Sequence, residues 1–473
     1  MALIILPALF VAMLLLAVRS PQTALLAALC LASYTGVDVD VGLRVTGYQL
    51  VMAPLIIVMA LRLAHPGFSA RPLATGALFL AFALYAVANS AFQIAGLPDA
   101  AIANSALRGP QARAVIQIML FVFALAPIIL VPMLFTRAED VQRLGRVWLW
   151  SAAVLALIGW AQLVIWYGTG TNPLPIGRIN QLLGGAADYS REGRFDFEGF
   201  GIYRMNSLAN EPRNMGQVMA LAMIVLQAQM LTVRHVRGGR LILLWLFFAV
   251  SLLATYSTAG LAVWIIGTAT LLPALLLLRV PVQRSAGQIM AALAALATPV
   301  LLGLALALSA GIPVFDLIAE RTIARLEGTG GVEDFDLAIS AWLAANPDRL
   351  WLGGGLGNAH LFATPYLDPE FAAYAEGQVF SAKTMVLRLV SELGLVGTAL
   401  FAGFALSRVF AARGPRHLWP MVPPATPLAL AMLAVLAATS QINTEATFML
   451  GAMVLLAGLQ PARTPVPARA QPA

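Results

Sequence analysis

The residues best suited to chemistry lie in a polar interruption of an otherwise apolar chain, at positions 311–383. Four glycines occupy five positions from Gly353 to Gly357, and His360 follows them. Glycines let the backbone turn sharply or approach a ligand closely, and a histidine can exchange a proton near neutral pH. Arg321 and Arg325 lie in the same interruption. Connections between helices are usually a few residues long, so we expect this segment to bind a ligand or carry out a reaction.

A second polar segment, residues 168–206, contains Arg204 and leads towards Glu211-Pro212-Arg213. Pro212 is typical of the first turn of a helix, where its missing N–H costs nothing. Glu211 suits the positive end of that helix, whereas Arg213 does so only if an anion approaches. A helix N-terminus with arginines can therefore bind an anion. The alternative is an arginine that reaches the membrane surface and pairs with Glu211.

The elements that must position these residues are apolar. Hydrophobic residues make up 60% of the chain and charged residues 11%, and the mean hydropathy is +0.84. Soluble domains carry about 25% charged residues, so the composition predicts an all-α, polytopic integral membrane protein. Runs near the length that spans a bilayer predict about 12–13 transmembrane helices, at 2–18, 21–35, 49–64, 73–95, 113–135, 147–167, 207–232, 239–256, 258–279, 286–310, 384–410, 425–440 and 445–459.

The arginines between these runs predict the orientation. Four arginine-bearing loops alternate with the other loops, and basic residues collect on the cytoplasmic side. The loops at about 168–206 and 311–383 are then outside, in the periplasm of a bacterium, and the larger one is expected to contain short helices. Residues 1–460 are interpreted as one membrane domain in the inner membrane, and 461–473, rich in Pro and Ala, as a disordered cytoplasmic tail.

Charge and cysteine content exclude several classes of protein. The net charge is +7, but the basic residues fall between apolar segments, which does not indicate a nucleic-acid partner. Cys30 is the single cysteine, so the chain has neither a disulfide framework nor a Cys-based metal site. Lys383 is the one lysine among 29 basic residues. Arginine-rich codon usage accounts for that bias, yet the single retained lysine becomes a candidate for a functional residue.

Two acidic groups could suggest a metal. Asp38-Val39-Asp40, in the first outer loop, is similar to the acidic pair of metal-dependent, lipid-using glycosyltransferases, although a solvated turn is the preferred interpretation. Glu333-Asp334-Phe335-Asp336 precedes a helical run, where acids are usual N-terminal caps. Asn346-Pro347 is expected to end that helix, because the residue before a proline avoids helical angles.

Three segments carry a resemblance to a known family. Residues 204–213 are similar to its Arg…Glu-Pro entry to a span. Residues 346–358 are similar to its "NP…GxGxGN" loop, and 387–397 to its "LxLLxELGLxG" span. Their order and spacing, with a large outer loop before the last spans, resemble the O-antigen ligase and O-antigen polymerase superfamily of bacterial membrane glycosyltransferases.

The resemblance implies an enzyme that transfers a glycan from undecaprenyl pyrophosphate at the outer membrane face, without a metal or cofactor. Polymerases transfer it to another lipid-linked glycan, and ligases to lipid-A core. Proteins of polysaccharide export or chain-length control are further expected partners. Glu211 and His360 are candidates for the base that the acceptor hydroxyl needs. Cations stabilise the leaving pyrophosphate, and the candidates are Arg204, Arg213, Arg321, Arg325, Lys383 and Arg388.

Two departures from the family bear on the reaction. Ligases typically have His-Asn nine residues before the glutamate of the third segment, where this chain has Lys383-Thr384. A lysine beside an anion stays charged, so we expect Lys383 to bind phosphate and the chain to be a polymerase. A lysine reaching the membrane surface is the alternative. Many members also have an arginine where this chain has Asp334 and Asp336. We therefore assign no residue of this chain to the position of that family arginine.

A lipid-linked glycan flippase is the alternative from a different class. Transporters hold ionisable groups in mid-span and show paired halves. In this sequence the charges fall at span ends and in outer loops. The pattern therefore favours an enzyme.

Overall fold

The computed structural model of the chain is mostly helical. Helices account for 85% of the residues that it describes, which confirms the all-α expectation. Those residues are 2–40, 44–64, 77–95, 110–135, 138–171, 194–197, 200–209, 211–232, 238–277, 333–369, 382, 384–411 and 425–439.

The helices follow the apolar runs of the sequence closely. Eleven of the thirteen runs coincide with a helix, and the runs at 286–310 and 445–459 lie outside the described residues, as does the tail at 461–473. In chain order the helices are α1 (Ala2–Arg19), α2 (Pro21–Leu31), α3 (Gly47–Leu63), α4 (Ala77–Ala95), α5 (Pro110–Leu134), α6 (Ala138–Thr169), α7 (Pro212–Thr232), α8 (Gly238–Ala254), α9 (Thr258–Leu277), α10 (Glu333–Ala345), α11 (Arg349–Leu352), α12 (Ala359–Ala363), α13 (Met385–Ala411) and α14 (Ala425–Thr439).

Within the described part, four helical stretches are long and apolar enough to cross a membrane: Arg143–Thr169, Pro212–Leu231, Thr258–Leu277 and Met385–Ser407. Other apolar helices, such as Gly47–Leu63, are shorter. Four of the expected 12–13 spans thus have helices of full length among the described residues, and the larger number stays a prediction.

Helix boundaries fall where the local chemistry predicts. α7 begins at Pro212, as expected of a proline in the first turn. α10 ends at Ala345, directly before Asn346-Pro347, and the Asn346 side chain donates a hydrogen bond of 2.8 Å to the carbonyl of Trp342. The acids at 333–336 form the first turn of α10, where negative charge suits the helix dipole.

Two short antiparallel hairpins lie outside the helices. β1 (Asp38–Asp40) pairs with β2 (Arg44–Thr46), and β3 (Arg194–Phe197) pairs with β4 (Phe200–Tyr203). The solvated turn expected at Asp38 is wrong, because Asp38 opposes Thr46 in the first hairpin and its side chain is buried.

Three groups of buried side chains hold the fold together. The largest joins α1–α3 with α5–α9 and α14. A second, aromatic group lies between α4, α5 and α13, where the tilted rings of Phe79 and Phe404 pack at 5.1 Å between centroids. The third is formed by α10, α12 and their neighbours on α13. The glycine run connects α11 to α12, with Leu356 in the second group and Ala359 in the third.

Candidate functional site

A break in helix α13 is the centre of the candidate site. Gly394 has φ +68° and ψ −175° within the helix, a conformation that glycine adopts without strain. A broken helix leaves backbone carbonyls without their usual partners, and here other elements supply donors. The N–H groups of Gly354 and Gly355 donate to the carbonyls of Ser391 and Glu392, each at 2.8 Å.

The glycine run packs its backbone directly on this break. A Cβ on Gly353 would lie 2.5 Å from the carbonyl carbon of Glu392, and a Cβ on Gly394 would collide with the carbonyl of Trp351. Gly353, Gly355 and Gly357 all have positive φ. Gly353 and Gly394 are therefore required both by their backbone angles and by the contact between two main chains.

Polar side chains of α4 hold the loop from the other side. Asn89 donates to the carbonyl of Leu352 at 2.7 Å, and the Ser90 hydroxyl accepts from the N–H of Leu356 at 3.0 Å. Gln93 accepts a short hydrogen bond from Arg349. Tyr85 donates to the carbonyl of Leu393 at 2.9 Å, so one face of α4 ties the loop to α13.

We call the packing of the run Gly353–Gly357 on the break in α13 the dock. A buried ion pair lies next to it. Arg388 Nε and Glu392 Oε1 are 3.0 Å apart, and the two side chains are 4% and 2% exposed. Arg388 Nη2 donates to Gln117 Oε1 of α5 at 3.3 Å. We call Arg388, Glu392, Gln117 and Asn358 the buried polar centre.

Several atoms of the buried polar centre have no hydrogen-bond partner in the described part of the chain. They are Nη1 of Arg388, Oε2 of Glu392 and both polar atoms of the Asn358 amide. Asn358 is fully buried, and its Nδ2 lies 3.5 Å from the position that a Cβ on Gly355 would take. Buried polar groups are nearly always hydrogen-bonded, so this set of atoms requires an explanation.

His360 lies two residues after Asn358 of the buried polar centre. It is buried on the short helix α12. Phe362 of the same helix stacks on Trp342 of α10 at 5.3 Å between ring centroids. Arg349 lies over the Phe362 ring at 5.2 Å. His360 is therefore buried within the loop, and its role as a base stays a prediction.

Arg204 is anchored to a turn between α8 and α9. Its Nε and Nη2 donate to the carbonyls of Thr255 and Tyr256 at 3.3 and 3.4 Å. Burial raises the pKa of the Tyr256 phenol, and the nearby Tyr167 raises it further, so this ring stays neutral. The contacts give Arg204 a structural function in joining the β4–α7 connection to the turn.

Glu211 and Arg213 form an ion pair at the start of α7. Arg213 Nη2 is 3.4 Å from Glu211 Oε2, and the side chains are 36% and 46% exposed. The pairing is the alternative that the sequence left open. Its exposure keeps both groups accessible to a ligand, and exposed pairs contribute little to stability.

The structure joins some of the predicted site residues and leaves others untested. It pairs Glu211 with Arg213 and sets Arg388 into the buried polar centre. Arg321, Arg325 and Lys383 lie outside the described residues.

Sequence reasoning missed Glu392, Asn358 and Gln117 as members of a site. For Glu392 a signal existed, because Arg388 and Glu392 are four residues apart in an apolar run and so share one helix face. For Gln117 the only signal was an amide within an apolar segment.

No group of three or more His, Cys, Asp or Glu side chains that could hold a metal ion occurs among the residues that the structure describes. Comparison with protein-family models gives no match to this chain, and comparison with curated proteins gives none either.

Proposed function

We propose that this chain is a multi-pass inner-membrane glycosyltransferase, a polysaccharide polymerase of O-antigen or exopolysaccharide type. It transfers a glycan from undecaprenyl pyrophosphate to a lipid-linked glycan at the periplasmic face, without a metal. The observation that carries the proposal is the dock of the glycine run on the broken helix α13. It packs the second and third family-like segments into one polar centre.

The setting of this centre supports a function in the membrane. Met385–Ser407 is one of the helical stretches long and apolar enough to span a bilayer, and Arg388 and Glu392 lie near its start. Ionisable residues inside such helices are costly and mark functional sites. Non-helical backbone at membrane depth is tolerated where protein buries it, as the glycine run is here.

The exposed pair supplies the second part of the proposal. Arg213 is accessible at the N-terminus of α7, where the helix dipole and an arginine fork favour a phosphate group. Release of pyrophosphate develops negative charge, which a fixed guanidinium stabilises. We assign Arg213 to the leaving pyrophosphate and keep Glu211 and His360 as the candidate bases.

The test is polymer formation by the purified protein in lipid nanodiscs. The donor and acceptor are undecaprenyl-pyrophosphate-linked repeat units isolated from the source bacterium, and products are separated by gel electrophoresis. The wild type should give a ladder of products that EDTA does not abolish. Lipid-A core offered as a competing acceptor should stay unmodified, and its modification would establish a ligase.

Arg213→Lys is the sharpest variant for the pyrophosphate assignment. Lysine keeps the charge but loses the two-pronged geometry, so we expect the rate of chain formation to fall about tenfold or more. Arg240→Lys, at an exposed position on α8, is the matched control and should keep the wild-type rate. A wild-type ladder from Arg213→Lys would remove Arg213 from the site.

One structural feature favours the flippase alternative. A broken helix beside a buried ion pair also occurs in transporters, where interrupted helices form the substrate site. Reconstituted vesicles distinguish the two functions. A flippase would move the lipid-linked glycan across the bilayer without lengthening it, whereas the proposed enzyme lengthens it without moving it.

A further inference from the structure

The charge of the buried polar centre bears on what it can bind. The resemblance placed Arg388 among the ligands of pyrophosphate. In the structure the Arg388 guanidinium is paired with Glu392 at 3.0 Å, and both groups are buried. The pair has no net charge, and an approaching phosphate would meet the Glu392 carboxylate as a like charge, which is unfavourable in a buried site.

The unpartnered atoms instead match a neutral ligand. A guanidinium only donates hydrogen bonds, a carboxylate only accepts them, and an amide does both. The centre offers one of each: Nη1 of Arg388, Oε2 of Glu392 and the amide of Asn358. A hydroxyl group both donates and accepts, so neighbouring hydroxyls of a sugar ring complement this set.

The centre differs from other unpartnered polar atoms in the described part of the chain. Gln227 on α7 also has a buried amide nitrogen without a partner, but its oxygen accepts from the Thr268 hydroxyl at 3.0 Å. In Asn358 both the amide nitrogen and the amide oxygen lack a partner. Asn358 also directly follows the glycine run, next to the Arg388–Glu392 ion pair. Leaving such a group unsatisfied costs stability, so its presence points to a ligand.

We infer that the buried polar centre binds hydroxyl groups of the glycan, a neutral carbohydrate, and that the pyrophosphate is bound elsewhere. Glu392 Oε2 accepts from one hydroxyl, Arg388 Nη1 donates to it, and the Asn358 amide binds a neighbour. Gln117 accepts from Arg388 Nη2 and helps to hold the ion pair in place. The inference rests on the proposed function and assigns to this site the sugar part of the substrate.

The test compares two probes on the purified protein in nanodiscs. One is undecaprenyl pyrophosphate alone, and the other is the same lipid bearing the repeat glycan from the source bacterium. The dissociation constant of undecaprenyl pyrophosphate alone, divided by that of the glycan-bearing lipid, measures what the sugar contributes to affinity. In Asn358→Leu this ratio should fall about tenfold, while the affinity for undecaprenyl pyrophosphate alone stays at the wild-type value.

Thermal unfolding separates ligand binding from a structural function. Asn358→Leu removes an unsatisfied buried amide, so its Tm should equal or exceed the wild-type Tm. Gln227→Leu is the control at a buried amide outside the centre, and it should leave the contribution of the sugar unchanged. Glu392→Gln combined with Arg388→Gln keeps hydrogen-bonding groups without charge, and should weaken glycan binding but not the binding of undecaprenyl pyrophosphate.

Two results would overturn the inference. One is an equal loss of affinity for both probes in Asn358→Leu, which would make the centre a phosphate site. The other is a lower Tm with an unchanged contribution of the sugar, which would make Asn358 structural. A wild type that binds the glycan probe through Asn358 yet makes no polymer overturns the proposed function alone. If the wild type makes polymer and Asn358→Leu binds the glycan-bearing lipid as tightly as the wild type does, this inference alone is overturned.

Discussion

Two ion pairs of this chain have the same chemistry and opposite settings. Glu211 and Arg213 are 3.4 Å apart at the start of α7 and are more than a third exposed. Arg388 and Glu392 are 3.0 Å apart one helical turn from each other on α13, and both are buried. Water screens the first pair, whereas the second interacts in a medium of low polarity.

Because of this difference, the arginine of only one pair can exchange its carboxylate partner for another anion. An exposed arginine can exchange its carboxylate partner for a phosphate at little cost. A buried arginine cannot, because its partner would be left as an uncompensated buried charge. Arg213 is therefore suited to an anion that arrives and leaves, and Arg388 to holding Glu392 and a neutral ligand in fixed positions.

The largest expected effect comes from breaking the buried pair. Glu392→Ala leaves the Arg388 guanidinium buried without a counter-charge, so the free energy of unfolding should fall by about 3–5 kcal/mol. Denaturant titration in mixed micelles measures this. Replacing both residues by methionine should recover most of the loss, because well-packed apolar residues often replace a buried pair without cost. A loss below 1 kcal/mol would mean that the buried pair behaves like the exposed one.

A smaller effect is expected at the helix break. Gly394→Ala puts a Cβ against the carbonyl of Trp351 and forces a positive φ on alanine, so stability should fall by about 1–3 kcal/mol. Gly403→Ala on the same helix is the control, because a Cβ at Gly403 meets no heavy atom within 4 Å. The control should be neutral or slightly stabilising. Equal effects of the two substitutions on Tm would contradict the dock.

The smallest effect is expected at the exposed pair. Glu211→Gln removes the partner of Arg213, yet stability should change by no more than about 1 kcal/mol. The same denaturant titration at low and high salt measures it, and salt should reduce the difference further. A loss of several kcal/mol would show that the pair has a structural function and would weaken the assignment of Arg213 to a mobile anion.

Much of the helical framework follows from the sequence because its signals are local. The apolar runs predict eleven described helices, Pro212 predicts the start of α7, and Asn346-Pro347 predicts the end of α10. The glycine run predicts positive φ angles, which three of its residues adopt. The hairpins escaped prediction, because strands of three or four residues are too short to show the alternation that identifies a strand.

The sequence by itself determined the helical class, the apolar surface and the places where the backbone must turn, because each depends on residues adjacent in the chain. Only the tertiary structure decided which polar residues meet. Asn358, Gln117 and Arg388 come from three distant segments, and a lone amide in an apolar run carries no pattern that names its partner. The burial of one ion pair and the exposure of the other were likewise decided by packing, because identical residue types occur in both.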